Sequence, residues 1–128
     1  MRYTLLPHYP EMTPRTSARK PSGRAWGFDA YARAPDDAGV LLSAEVLAPS
    51  SVTTTISRKT GDLLVQDGPF ADTKEQLGGT FVIDVPDLDA AIAWAEKAPS
   101  AMHGDVEIRA TATRYVHGAW TQWTFPGA

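Results

Sequence analysis

Two side chains in this 128-residue chain can pass protons if the fold holds them in place: the carboxylate of Asp67 and the imidazole of His8. Asp67 heads an Asp-Gly-Pro turn, and at the mouth of a cleft it could serve as general acid or base if burial raised its pKa. His8 sits just past a short apolar strand and could reach a neighbouring strand end, which makes it the second catalytic candidate. Four residues are candidates for holding a substrate: Glu45, Phe70, Lys74 and Arg109. Glu45 sits between Ala44 and Val46, so if it faces inward it needs a cation such as Lys74 or Arg109; on an edge strand it is a plain surface charge. Lys74 lies near a turn whose free amides favour an anion, although Asp67, Asp72 and Glu75 oppose one. Phe70 anchors its loop. The expected site is a pocket between sheet and loop.

Other chemistries are poorly supported. Without cysteine there are no disulfides, thiolate metal sites or cysteine nucleophiles. The histidines, His8, His103 and His117, are dispersed and lack metal-ligand spacing, so no metal and no cofactor are expected. Glycine-rich phosphate loops and a Gly-x-Ser-x-Gly elbow are missing. A net charge of −3 gives no polyanion-binding surface, and the cations Arg15, Arg19, Lys20 and Arg24 read as a solvated loop, so nucleic acid is not an expected partner. The short apolar start neither exports the chain nor anchors it in a membrane, which leaves the cytoplasm as the expected location.

The elements that must position these residues follow from pattern. Arg2 to Leu6 is a strand stopped by Pro7 and Pro10, and the proline-rich segment 7–24 resists regular structure. A helix is predicted over Ala25 to Ala38, ending or kinking before Pro35. Leu41 to Leu47, Val52 to Ser57 and Leu63 to Gln66 read as strands, the last two forming a hairpin, and Thr80 to Val85 is a strand with Phe81, Ile83 and Val85 on one face. Asp87 caps a second helix with a stripe of Leu88, Ala91, Ile92 and Ala95. Val106, Ile108 and Ala110 alternate with Glu107 and Arg109 in a last strand with one wet face. The aromatic tail, 114–128, is too apolar to stand free and is expected to cover the body or a partner chain. One domain results, α+β, on a split βαβ ferredoxin-like plan with an extra hairpin.

Between the fourth and fifth strands stands Asp67-Gly-Pro-Phe-Ala-Asp-Thr-Lys-Glu-Gln-Leu-Gly-Gly79. Turn chemistry explains much of it: Asp67-Gly68-Pro69 bends, and Asp72 or Thr73 caps a short helical turn with Glu75 or Gln76 reaching back and Gly78 ending it. The run resembles the signature of the DGPF proteins within the YCII-related family, and the resemblance extends over about residues 39 to 112. It implies a dimeric α+β barrel, a homodimer in which two sheets face one another. In such relatives an aspartate has been proposed to act with a histidine of the first helix. Here that segment, Arg24 to Tyr31, contains no histidine, so Asp67 is left without that partner. Two functions remain: a small-molecule enzyme acting on a small organic acid or ring compound with Asp67 as acid–base residue, or a non-catalytic binding or accessory protein. For the second, the resemblance implies a regulatory or stress context linked to a sigma factor.

Overall fold

The computed structural model describes residues 1–11, 28–71, 73–98, 101 and 104–125. The predicted loop beyond residue 11, the start of the first helix at 25–27, Asp72 and His103 lie outside the described residues. In chain order the elements are β1 (Arg2–Pro10), α1 (Phe28–Asp37), β2 (Leu41–Val46), β3 (Thr54–Ser57), β4 (Leu64–Asp67), β5 (Glu75–Leu77), β6 (Gly79–Asp84), α2 (Leu88–Ala95), β7 (Asp105–Ala110), β8 (Tyr115–Val116) and β9 (Ala119–Trp120).

The main sheet runs β2–β6–β1–β7, antiparallel throughout, with β5 carrying on from β6 along the same edge of β1. This mixed α+β arrangement of a mostly antiparallel sheet and two helices is compatible with the predicted ferredoxin-like plan. The extra hairpin is β3–β4, a two-stranded sheet of its own, and β8–β9 forms another.

Alternation decides which residues meet the helices. Tyr3, Leu5, Phe81 and Ile83 point to one face and share a buried core with Tyr31 of α1 and Ala91 and Ala95 of α2. Leu5 and Ile83 are each 1 % exposed, and burying a side chain of this kind contributes about 1.5–3 kcal/mol. Tyr31 ties the layers together. Its ring meets Phe81 edge-on at 5.1 Å, its hydroxyl donates to the Trp94 carbonyl at 3.0 Å, and burial pushes its pKa up to about 12. Asp87 caps α2 as predicted, accepting from the Ala90 amide at 2.9 Å.

Four expectations are corrected. β1 does not stop at Pro7. The Pro7 carbonyl accepts from Gly78, so its missing N–H faces the one-residue bulge between β5 and β6, where no ladder bond is lost. Nor does Pro35 end α1, which runs to Asp37; the ring is almost wholly buried, and that packing offsets the absent helical bond. The predicted helical turn after residue 72 is instead extended as β5, because pairing with Tyr9 and Pro10 satisfies its backbone. Gln76 does reach back, donating to the carbonyls of Ala71 and Thr73 at 3.0 Å, yet it closes a loop and not a helix. On α2 only Ala91 and Ala95 of the predicted stripe are buried, while Leu88 and Ile92 are exposed. Of the two covers expected of the tail, for the body or for a partner chain, its described part does not provide the first, since Tyr115, Trp120, Trp123 and Phe125 stay exposed. It folds back at His117 and Gly118, both with positive φ, and Tyr115 and Trp120 pair edge-on while staying exposed.

Gly78 and Gly79, unremarkable as letters, fill a tight place in the sheet. A Cβ on Gly78 would overlap the Tyr9 ring, and one on Gly79 would overlap the Glu45 carbonyl. The absence of side chains lets the bulge sit between β1 and β2.

Candidate functional site

The strand register collects ionisable groups at one end of the face opposite the helices. His8 is paired with Leu77 on one side and with Asp105 on the other; Glu107 lies opposite Leu6, and Glu75 opposite Pro10. Directly opposed residues share a face, and so do residues two apart, so His8, Glu75, Leu77, Asp105 and Glu107 all project to the same side. The last three acids come from two strands far from His8 in sequence.

His8 Nε2 lies 2.6 Å from Glu107 Oε1. That nitrogen is shielded from solvent and makes no hydrogen bond of regular geometry with any described residue, although the imidazole as a whole is 26 % exposed. Distance and geometry therefore differ, and the chemistry explains how. An unprotonated nitrogen and a carboxylate are two acceptors face to face, whereas a protonated one donates to the carboxylate in a charge-assisted bond. A hydrogen on Nε2 satisfies the contact, and the neutral Nε2–H tautomer supplies it, which leaves Nδ1 as the ring's free acceptor. Beside it, Glu75 has its pKa raised by a hydrogen bond with Asp105, then by desolvation and by the Asp105 charge; His8 and Lys74 pull the other way. The Glu75 carboxyl is therefore shifted toward its protonated form.

Two open clefts meet at His8. The first, about 800 Å³, is bounded by Pro10, Thr73, Lys74, Glu75, Asp105 and Glu107 as well as His8. The second, about 780 Å³, lies between the sheet end and the loop that follows β4, with Leu47, Ala48, Pro69, Phe70 and Leu77 as its apolar wall. Glu75 and Thr73 border both. Among the described residues no group of histidine and carboxylates has the arrangement of a metal site.

Of the residues singled out in the sequence, His8, Phe70 and Lys74 line these clefts. Phe70 is 81 % exposed, with the Lys59 ammonium 5.4 Å from its ring, so it forms a rim and not the core anchor predicted. Asp67 is not brought to His8. It pairs with Thr54 on β4, on the hairpin face opposite Thr55, while Thr53 and Thr55 border the cleft. Glu45, opposite Thr80, and Arg109, opposite Thr4, are exposed on the sheet face and line neither cleft. Neither makes an ion pair with a described residue. Sequence reasoning missed Glu75, Asp105 and Glu107 as a group. The polar face of β7 was legible, but the register that sets it against His8 was not.

A domain model described as YCII-related domain matches residues 7–112. The chain therefore belongs to the YCII-related family. An uncharacterised protein of Rhizobium meliloti (strain 1021) is 38 % identical over 78 residues, 59 % of this chain and 63 % of that protein. The match thus spans less than two thirds of that relative. A 5-chloro-2-hydroxyhydroquinone dehydrochlorinase from Burkholderia phenoliruptrix AC1100, solved in complex with 2,5-dihydroxybenzoquinone, superposes with a TM-score of 0.44 at 13 % identity, covering 92 % of this chain and 96 % of that one. An overlap that loose carries no chemistry across. Among the described residues no helix is long and apolar enough to cross a membrane.

Proposed function

We propose that this YCII-related protein, of the DGPF branch by its Asp67 to Gly79 run, is a small-molecule enzyme that moves a proton on its substrate with His8 as the acid–base group. The observation that carries the reading is the His8 imidazole at the meeting of two open clefts, with its shielded Nε2 2.6 Å from Glu107. A carboxylate beside one ring nitrogen fixes the tautomer and stabilises the imidazolium formed when the other nitrogen takes a proton. In the proposed step His8, with its Nε2–H held by Glu107, takes a proton at Nδ1 from a carbon or hydroxyl of the substrate, Glu107 stabilises the imidazolium, and the proton is returned from Nδ1 to the product. The apolar wall of Leu47, Phe70 and Leu77 suits a ring or short carbon skeleton. Three carboxyl groups against one lysine favour a neutral compound over an organic anion there. In this proposal the acid–base role that the sequence suggested for Asp67 passes to His8.

The assay is solvent-deuterium incorporation into a panel of neutral cyclic ketones, phenols and small organic acids. Exchange that is saturable with the native protein and lost in His8→Gln supports the enzyme. Saturable binding with no exchange in either protein, and unchanged affinity in His8→Gln, replaces it with the binding-protein reading. We further propose a homodimer closed sheet against sheet. Its support is the face opposite the helices, where Leu6 and Val82 are only partly buried and no described element covers them. Light scattering at twice the chain mass is expected; a monomer at micromolar concentration would remove this part.

A further inference from the structure

The opposite end of the same sheet face has the opposite charge. Where β1 begins, Arg2 lies on that face, and the chain after β7 passes beside it, with the Thr111 amide bonded to the Arg2 carbonyl at 2.9 Å. The chain then turns at His117 and Gly118 and comes back, Thr121 bonding to Arg114 and Thr124 to Ala112. This returning arm closes a cleft of about 160 Å³ lined by Arg2, Thr111, Arg114, Gln122 and Thr124 among others. A water molecule's share of the liquid is about 30 Å³, so a small solute fits.

We propose that this cleft is a binding site for a small anion, the carboxylate or phosphate group of a metabolite, held by Arg2 and Arg114. Guanidinium groups match both anions with paired N–H donors, which a lysine does not. Among the described residues no carboxylate lines the cleft and neither arginine has an acidic partner. Asp84 stands opposite Arg2 in register, but the N-terminal amine holds it at 3.1 Å and it is not part of the lining. Further donors stand ready. Thr113 and Thr121 are engaged with each other and with the Arg114 amide, whereas the Thr111 and Thr124 hydroxyls and the Gln122 amide bond no described residue. Arg2 and His8 are six residues apart on one strand, about 20 Å, so the site is separate from the proposed acid–base centre and stands whether or not His8 is catalytic.

The test titrates the full chain, without a tag, with inorganic phosphate and in parallel with acetate at constant ionic strength, following amide resonances by NMR. Saturable shifts confined to residues 2, 111–114 and 121–124 are expected, with the tighter of the two anions naming the class. Arg2→Gln and Arg114→Gln should each weaken binding about tenfold or more, Arg58→Gln in the β3–β4 hairpin not at all. Thr124→Val, which leaves both charges in place, should weaken it less and serves if an arginine variant fails to fold. Shifts that match those of chloride, or affinities unchanged in folded Arg2→Gln and Arg114→Gln, overturn the proposal.

Discussion

The main sheet and the β3–β4 hairpin are built from the same kinds of residue in the same antiparallel pairing, yet they end in different environments. Leu5 and Ile83 are 1 % exposed, whereas Ile56 and Val65, opposite one another in the hairpin, are 67 % and 62 % exposed. The difference is a second layer. α1 and α2 cover one face of the main sheet, while no described element covers the hairpin, which is held by its own ladder and by Gly68 bonding Thr53 and Thr55. β-propensity makes both regions strands, but only layer packing makes one of them core. An uncovered two-stranded hairpin is marginal by itself, so the stability of the chain resides in the other region.

Truncation should expose this contrast most sharply. Leu5→Ala is expected to cost about 3 kcal/mol in urea denaturation, the usual range for a fully buried leucine. Ile56→Ala should change the same measurement by less than about 0.5 kcal/mol. Equal losses would mean that the hairpin is covered in solution. Gly79→Ala comes next, at about 2–3 kcal/mol, because its Cβ would meet the fixed Glu45 carbonyl; Gly78→Ala should cost less, since the Tyr9 ring can move. Asp87→Ala removes the cap of α2 and should cost about 1 kcal/mol.

The smallest effect lies at the boundary between the regions, in the Glu75–Asp105 pair. The folded-state pKa of Glu75 is raised, so its contribution is fully present below the ordinary glutamate pKa and fades as pH rises through the folded value. Glu75→Gln keeps a donor for Asp105 without titrating. Its stability should therefore fall less than that of the native chain as pH is raised through that window, followed by thermal unfolding. Parallel pH profiles for the two proteins would show that the Glu75 carboxyl is not shifted by folding.

Much of the fold was legible because it is local. The β6 alternation of Phe81 and Ile83, the Asp87 cap and the wet face of β7 each follow from neighbouring residues, and the family resemblance agreed with them. Where prolines were weighed locally the outcome differed: Pro7 and Pro35 are accommodated by a bulge in a neighbouring strand and by burial, neither visible from one segment. The candidate site was legible only in part. His8 could be named as a proton carrier, but its neighbours Asp105 and Glu107 are about a hundred positions away, and a shift of one residue in register would turn them to the other face.

The sequence by itself determined the types of the longer elements, the family and the inventory of groups able to carry protons, because these depend on residue type and on periodicity along the chain. Tertiary structure alone decided that His8 meets Glu107 while Asp67 stays apart on the hairpin, and that two arginines gather at the far end of the same face. Those pairings depend on strand order and register, which are set by how the whole core closes.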